Sequence, residues 1–203
     1  MKIKTLEVGG IHSALHAMRN PMDSWDKSDS VTGTVGEKDK ELSMKLANAG
    51  TEHAKHLRMI MVWADIKAPR YWWTEFDTYR VGVEKVSCST MHKLMSRPVD
   101  VDDFESDGMS PIALDNVIDY INGDMNLYKN ASDPKEKKLL WRGIIQLLPQ
   151  SYRQKRTVMM SYAALRNIYR QRAGHKLDEW QQFREWVEGL PESWMITDEN
   201  SID

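Results

Sequence analysis

The residue in this sequence with the most obvious chemistry is its only cysteine, Cys88. It follows Arg80 and Lys85, and nearby cations favour the thiolate form that acts as a nucleophile. A lone cysteine in an apolar strand is also a common small core residue. Both interpretations stay open, and one cysteine excludes an internal disulfide and suits a reducing compartment.

Two histidine pairs have spacings that could place two metal ligands on one helix face, His53 with His56 and His12 with His16. Neither pair has a third ligand in a convincing position. We therefore predict no metal site.

The third chemical feature is a basic stretch between Leu148-Pro149 and Gly174. Its cations, which could bind anionic ligands, are Arg153, Lys155, Arg156, Arg166, Arg170 and Arg172. Apolar residues at helical spacing predict one long helix over residues 151–173, with a buried stripe formed by Val158, Tyr162, Leu165 and Tyr169. The alternative for these cations is a solvated basic face, which is the commoner role of a charge run.

The remaining patterns predict one α+β domain, residues 1–203, with a mixed or antiparallel sheet and the long helix. Apolar runs predict strands over 2–8, 59–65 and 80–89, while 70–77 fits either a helical turn or a strand. Capping residues and apolar spacing predict helices over 37–49 and 177–188, and others starting at Ser110-Pro111 and Asp133-Pro134. Leu42, Leu46 and Ala49 form the expected apolar face of the first. We expect a mobile loop at 20–36 and a flexible tail at 190–203.

Composition bounds the class of protein. The chain has 203 residues, 41% hydrophobic and 29% charged, with a net charge of −2. These values fit a globular protein with a proper core, and no run approaches the roughly 18 apolar residues of a membrane helix. No secretory signal is visible, so we expect a cytoplasmic protein. Without an overall basic excess we expect neither DNA nor a membrane as partner.

Three blocks of residues resemble the flavin-dependent thymidylate synthases. In the first, Glu52-His53 stands at the family's Gly-His position, and the strand beginning at Met59 ends at Lys67-Ala68-Pro69, as the family pattern does. Leu57-Arg58-Met59 stands where the family has Phe-Glu-His. The second histidine of that pattern is therefore Met59.

The second and third blocks carry the residues that the family uses for ligands. At the Arg-His-Arg signature this chain has Thr78-Tyr79-Arg80, with Cys88 and Thr90 at the positions of a later serine and arginine. After Leu148-Pro149, the family's asparagine and arginine recur as Asn167 and Arg172. Ser161 and Ala163 stand where it has an asparagine and an arginine.

The resemblance implies a fold, an activity and a set of ligands. Family members are homotetramers in which several subunits build each site, and they bind FAD, which NADPH reduces. Methylenetetrahydrofolate supplies the one-carbon unit transferred to dUMP, a methyltransferase reaction of pyrimidine biosynthesis. By resemblance, His53, Arg80 and Asn167 would contact the flavin. Arg172, Lys155 and Cys88 would contact the nucleotide.

Each carried-over residue also has a structural alternative. Arg80 and Lys155 would be surface cations, Asn167 a polar residue on the exposed side of a helix, and His53 a solvated loop histidine. Arg172 would be a cation placed favourably at a helix C-terminus, a contribution of about 0.3–1 kcal/mol.

The replaced signature leaves two hypotheses. Each lost charge-assisted bond to a phosphate is worth about 1.5–3 kcal/mol, so Thr78, Thr90 and Ala163 should weaken binding unless other groups compensate. Candidates for compensation are the cations Arg70, Lys85, Arg97 and Arg166 and the aromatic residues Trp72, Trp73 and Tyr79. The chain is then either a divergent enzyme that still binds a flavin or a deoxyuridine nucleotide, or a catalytically inactive homologue that acts as an oligomeric scaffold. Such a divergent copy would suit a phage.

Overall fold

The computed structural model describes residues 1–198, and its backbone alternates short strands with helices. Four strands form an antiparallel sheet of order β1-β2-β4-β3. They are β1 (Lys2–Gly9), β2 (Met61–Pro69), β3 (Val83–Ser87) and β4 (Arg153–Ser161). The helices are α1 (Ile11–Met18), α2 (Glu37–Asn48), α3 (Arg70–Phe76), α4 (Thr90–Lys93), α5 (Pro111–Asn130), α6 (Pro134–Leu147), α7 (Tyr162–Gln171), α8 (Asp178–Glu188) and α9 (Trp194–Thr197). The α+β prediction with an antiparallel sheet is confirmed.

The chain divides into two compact units. The first comprises residues 1–2, 67–77 and 87–156, and the second comprises residues 3–66, 78–86 and 157–198 of the described part. The prediction that the whole chain is one domain stays a prediction.

The first unit has an apolar core beneath the α5–α6 hairpin. Its buried residues are Leu94, Val99, Phe104, Leu114, Ile121, Met125, Ile144 and Leu148. Pro111 and Pro134 begin the two helices, and Asp133 caps α6 by accepting a hydrogen bond from Lys135 N. Both helix starts are as the sequence predicts.

The second unit surrounds α7. The largest buried side chains here are Leu57, Ile60, Ile66, Tyr162, Trp180 and Phe183. The side chain of Ser161 caps α7 by accepting from Ala164 N. Gly82 has φ 69°, and a Cβ there would lie 2.6 Å from Ser161 Oγ, so the turn before β3 requires glycine.

The predicted long helix over 151–173 is wrong. Its first half is β4, where Val158 and Met160 are buried at strand spacing, and only its second half is the helix α7. The apolar stripe from Val158 to Tyr169 is buried as expected, but the helical spacing across Ser161 is a coincidence. In the sheet, β4 lies between β2 and β3. Pairing with these two strands, which are distant in sequence, outweighs the local helical spacing of the apolar residues. The longest helix is α5, with 20 residues.

The predicted apolar face of α2 is also wrong. The buried residues of this helix are polar, Asp39 and Ser43, whereas Leu42 and Leu46 are half-buried and Ala49 is exposed. Polar partners on neighbouring segments explain the inversion, because Asp39 pairs with Arg19 and Ser43 contacts His56.

The 20–36 segment contains two 3-10 turns, Asn20–Met22 and Trp25–Lys27. Hydrogen bonds join its residues to Asp39, and its predicted mobility stays a prediction. Of the predicted tail, residues 190–198 include α9 with buried Met195 and Ile196, and residues 199–203 lie outside the described part.

Candidate functional site

A pocket of about 350 Å³ lies in the second unit, between one face of α7 and the segment that follows α2. We call it the α7 pocket. The helix contributes Ala163, Arg166, Asn167 and Arg170, whose spacing of three and four residues places them on one face. Ala163 stands at a position where the resembled family has an arginine.

The opposite wall is the turn after α2. Gly50 has φ 121°, a left-handed conformation that reverses the chain after the helix. The 3-10 turn Ala54–Arg58 follows, and Arg58 donates a hydrogen bond of 2.8 Å to the carbonyl of Thr51. Asn48, Thr51 and Arg58 therefore line the pocket from this side.

The pocket carries excess positive charge. Arg58, Arg166 and Arg170 line it, and none of the lining residues, all of them in the described part of the chain, is acidic. Arg166 is 6% exposed and donates to the carbonyl of Ala47 at 2.6 Å and to Asn48 Oδ1. The end of α2 favours this cation, since helix carbonyls carry partial negative charge.

Burial and then the nearby Arg170 lower the pKa of Arg166 to about 10, although Asp198 acts in the opposite direction. The guanidinium is still charged at neutral pH. Its Nε is buried and has no hydrogen-bond partner among residues 1–198. An anion in the pocket would relieve the repulsion between the two arginines, so the arrangement favours binding of a phosphate or another anionic group.

Behind the pocket, α2 holds the turn that forms its wall. Ser43 Oγ lies 2.8 Å from His56 Nε2, and His56 is only 3% exposed. Burial and then the charge of Arg166 lower the pKa of His56 to about 4, while a backbone interaction with His53 raises it. His56 is therefore neutral at physiological pH and acts as part of the packing.

The three residues predicted to contact a cofactor lie in different surroundings. Asn167 lines the α7 pocket, where its Oδ1 accepts from Gln171 Nε2 at 2.8 Å. His53 is exposed at the start of the 3-10 turn, and its Nε2 lies 3.7 Å from Glu52 Oε1. Arg80 is exposed before β3, and its carbonyl accepts from Val83 N. Only Asn167 lines this pocket.

Arg172 is held by aromatic side chains of its own unit. Its guanidinium carbon lies 4.4 Å from the ring centroid of the buried Trp180 and 5.3 Å from that of Tyr79. Its Nε donates to the Tyr79 hydroxyl at 2.8 Å. Tyr79 stands at the histidine position of the resembled signature, so the substitution supplies Arg172 with a partner inside the chain.

We expect Arg172→Ala to lower the free energy of unfolding by about 1–2 kcal/mol, because both cation–π contacts and the hydrogen bond to Tyr79 are lost. Urea denaturation measures this. Tyr79→Phe is the matched control, which keeps the ring and should cost about half as much. Unchanged stability of the Arg172 variant together with lost ligand binding would assign Arg172 to the ligand instead.

Cys88 opens onto a second pocket, of about 180 Å³, in the first unit; we call it the Cys88 pocket. The thiol is exposed, so the alternative of a core cysteine is wrong. The backbone is fixed, because Cys88 N donates to the Lys155 carbonyl and Cys88 O accepts from Gln154 Nε2. Ser89, Thr90, Lys93 and Arg97 are among the lining residues.

The two cations of the Cys88 pocket, Lys93 and Arg97, differ in how available they are to bind an anion. Arg97 forms a bidentate pair with Asp103, at 2.7 and 2.6 Å. This carboxylate raises the pKa of Arg97. Although burial acts in the opposite direction, Arg97 also holds the pKa of Asp103 below its usual value. Lys93 is exposed at the pocket and is the better candidate for an incoming anion.

Lys155 lies on β4 rather than on the predicted basic helix, and its side chain is exposed. The helix face expected around it does not exist, because alternate residues of a strand point to opposite sides. Arg153 instead pairs with Glu105 at 2.7 Å, and Arg156 pairs with Asp77 at 2.7 Å while stacking on Trp73. These two cations are engaged within the chain.

The histidine pairs serve other purposes. His12 Nε2 accepts from Gly33 N, and His16 stacks on Trp25. Within residues 1–198, no group of three histidine, cysteine or acidic side chains is placed to hold a metal ion. No helix in that same range is long and apolar enough to cross a membrane.

The sequence pattern places Arg166 and Arg170 in the basic stretch and offers Arg97 as a compensating cation, but it gives no sign of Arg58 and Asn48 as pocket residues. The spacing of Arg166 and Arg170 is a signal for a shared helix face. Arg58 and Asn48 had no such signal, because their place in the pocket depends on the turn at Gly50.

No protein-family model matches the chain, and no curated protein matches it. Its structure is similar to solved structures of the flavin-dependent thymidylate synthase ThyX from Helicobacter pylori complexed with FAD and dUMP. One has a TM-score of 0.76 at 18% identity and covers 98% of this chain and 99% of that chain. A second has a TM-score of 0.74 at 18% identity and 98% coverage of both chains. The chain therefore has the fold of these enzymes.

Proposed function

We propose that this protein is a divergent relative of the flavin-dependent thymidylate synthases that binds FAD, a deoxyuridine nucleotide or both. The observation that carries the proposal is the α7 pocket, where Asn167 lies among three arginines and no lining residue is acidic, although the lining Asn48 donates to the Asp198 carboxylate. The similar solved structures hold FAD and dUMP. A site without acidic residues suits ligands that bring phosphate charge.

The α7 pocket is the proposed cofactor site. Asn167 would hydrogen-bond the flavin, and Arg58 and Arg170 would bind its phosphates beside the buried Arg166. Its volume suits one ring system of a dinucleotide, with the rest extending along the surface. A bound flavin would supply hydride-transfer chemistry. His53 and Arg80, which are exposed outside the pocket, remain proposed flavin contacts by resemblance.

The Cys88 pocket is the proposed nucleotide site. Ser89 and Thr90 offer hydroxyl groups, Gln154 offers an amide, and Lys93 offers a charge for a monophosphate. Cys88 and Lys155 keep the nucleotide-binding roles implied by resemblance. Arg172 would have to bind the nucleotide while stacked on Trp180, so its role in packing is the better supported one.

If the protein is active, it transfers a one-carbon unit from methylenetetrahydrofolate to dUMP with NADPH as reductant. We assign no catalytic residue. A second candidate function is that of an inactive homologue serving as an oligomeric scaffold. The contacts of Arg172 with Tyr79 and Trp180 favour the inactive homologue. Arg172 matches the family pattern, but these contacts engage its side chain in packing within the chain. For either function we propose a cytoplasmic homo-oligomer, a tetramer by resemblance.

The test is a titration of the purified protein with FAD, with and without dUMP, followed by flavin fluorescence. Saturable binding that dUMP strengthens supports the proposal, and an NADPH-dependent methylation assay then separates the enzyme from the inactive homologue. The absence of binding at high micromolar FAD contradicts the flavin part of the proposal.

Asn167→Ala should weaken FAD binding about tenfold, the equivalent of about 1.4 kcal/mol, because one hydrogen bond to the flavin is lost. The same titration measures it. Gln171→Ala is the matched control, since it removes the other partner of the Asn167–Gln171 hydrogen bond and leaves Asn167 in place. Equal affinities of the wild type and the Asn167 variant would remove Asn167 from the site.

A further inference from the structure

An open cleft of about 560 Å³ lies in the first unit, between α4, the last turn of α5 and the first half of α6. We call it the Trp141 cleft. Tyr128 lines it from α5, Lys137, Lys138 and Trp141 line it from α6, and Met91 lines it from α4. The cleft is larger than the α7 pocket and the Cys88 pocket, and neither proposed ligand occupies it.

Two aromatic rings of the Trp141 cleft are held in place by the fold. Trp141 Nε1 donates to the Met91 carbonyl at 3.3 Å, a contact that joins α6 to α4 and orients the indole. The centroid of the Tyr128 ring lies 5.6 Å from Lys137 Nζ. Both aromatic side chains are half-buried, and Met91 beside them is 50% exposed. Rings fixed at a surface can stack on a planar ligand with little further loss of side-chain entropy.

The lining of the cleft is positively charged. None of the lining residues, which all belong to the described part of the chain, is acidic. Lys137 and Lys138 precede Trp141 by four and three residues, so the three side chains share one face of α6. At roughly 100° per residue, Glu136 lies about 145° from the centre of that face. The two lysines therefore have no carboxylate beside them on their own side of the helix.

The surroundings of the cleft also carry more cations than acids, although the net charge of the chain is −2. Residues 124–142 contain five cations and three acids. Two of the acids are close, since Asp124 lies one turn before Tyr128 and Asp133 caps α6. They reduce the excess of positive charge without cancelling it, and Lys93 adds a cation at the end of α4. The whole-chain charge that spoke against a nucleic-acid partner does not describe this surface.

Phosphates alternating with planar rings match this arrangement. Lysine ammonium groups bind phosphate as point charges, and bases of any sequence stack on aromatic side chains. None of the lining residues is fully buried, so a small molecule in the cleft would keep much of its surface in water, whereas tight small-molecule sites cover most of the ligand. A polymer makes further contacts on either side of the cleft. An acidic peptide would satisfy the lysines but brings no planar ring next to each charge.

We propose that the Trp141 cleft binds single-stranded nucleic acid. One base stacks on Trp141, and the phosphates next to that base lie against Lys137 and Lys138. The proposal goes beyond the proposed function, because it uses neither the α7 pocket nor the cation of the Cys88 pocket. A wild type that binds FAD but no oligonucleotide overturns this inference alone, and one that binds an oligonucleotide but no FAD contradicts the flavin proposal alone.

Fluorescence anisotropy of a labelled oligothymidylate of about twelve nucleotides, a length within the usual site sizes, tests the proposal on the full chain. Lys137→Gln with Lys138→Gln should weaken binding about tenfold. It should also reduce the slope of log affinity against log salt by about 1.4, since each phosphate contact of a single strand contributes about 0.7. Lys38→Gln with Lys45→Gln is the matched control, because it removes the same charge from exposed positions of α2 and should change neither quantity.

Trp141→Leu tests the stacking and should weaken oligonucleotide binding about tenfold. Trp141→Phe keeps a ring while losing the hydrogen bond to Met91, and it should bind nearly as tightly as the wild type. Circular dichroism checks that each variant is folded, and the lysine variant decides the question if Trp141→Leu does not fold.

Three results overturn the proposal. The first is a wild type that does not bind the oligonucleotide, and the second is a lysine variant that binds it as tightly as the wild type does. The third is displacement of the oligonucleotide by thymidine monophosphate or by polyglutamate at the same concentration of charge. Displacement by the mononucleotide would make the cleft a small-molecule site, and displacement by polyglutamate would show a general attraction for polyanions.

Discussion

Asp39→Ala is expected to lower the free energy of unfolding by about 3–5 kcal/mol, because it leaves the buried Arg19 guanidinium without a counter-charge. Asp39 is fully buried and Arg19 is 5% exposed, and their charged atoms lie 2.5 Å apart. Ser28 Oγ donates to the same carboxylate at 2.6 Å, and Ser30 N donates at 3.3 Å.

Burial alone would raise the pKa of Asp39, but the hydrogen bonds from Ser28, Ser30 and Arg19 outweigh it and the pKa is lowered. The carboxylate therefore stays ionised in the fold. Its loss should also loosen the attachment of residues 20–36 to α2, because the contacts of Ser28 and Ser30 are lost while Asp29 still accepts hydrogen bonds from Lys38 N and the backbone N of position 39.

Urea denaturation at neutral pH measures the loss, and proteolysis of the 20–36 segment reports its looser attachment. Glu41→Ala is the control on the same helix, because Glu41 is exposed and its removal should change the free energy of unfolding by less than about 0.5 kcal/mol. A similar small change for Asp39→Ala would show that the pair does not stabilise the fold.

Acid should destabilise the protein through His56. The pKa of this residue is about 4 in the folded state against 6.5 for the free side chain, so between these values the unfolded chain binds the additional proton. Stability from His56 is fully present above pH 6.5 and is lost as the pH falls towards 4. At 1.36 kcal/mol for each unit of pKa difference, the loss amounts to about 3 kcal/mol.

Free energies of unfolding measured from pH 7.5 to pH 4 test this dependence. His56→Gln should remove most of the slope, because glutamine does not titrate and can still hydrogen-bond Ser43. Acidic residues with lowered pKa values contribute to the pH dependence of stability in the wild type and in the His56→Gln variant alike. The difference between the two curves of unfolding free energy against pH therefore isolates the contribution of His56. His53→Gln is the control, as His53 is exposed, and a slope that survives in the His56 variant would contradict the assignment.

These two predictions concern a helix whose role the sequence concealed. The pattern of α2 indicates an apolar face through Leu42 and Leu46, yet Asp39 and Ser43 are the buried residues. A prediction of the buried face from apolar periodicity assumes that the helix packs against an apolar surface. Here the partners are Arg19 and His56, which come from segments 20 and 13 residues away along the chain.

Some features could be predicted from the sequence because their causes are local. Pro111 and Pro134 each mark a helix start, Gly50 and Gly189 mark helix ends, and Lys67-Ala68-Pro69 ends β2 at the expected place. The spacing of the three resembling blocks indicated the fold that the structural comparison supports at 18% identity. Asn167 lines the α7 pocket, and its role toward a flavin stays a prediction.

The sequence by itself determined the bounds of α2 and α8, the starts of α5 and α6, three of the four strands and the class of fold. The tertiary structure decided that residues 153–161 form β4 instead of a helix, that Arg172 is held by Tyr79 and Trp180, and that Arg58 joins Arg166 and Arg170 around one pocket. The physical reason is the same in each case. A helix cap or a proline acts on its neighbours along the chain, whereas strand pairing, cation–π contacts and convergent charges depend on residues that only folding brings together.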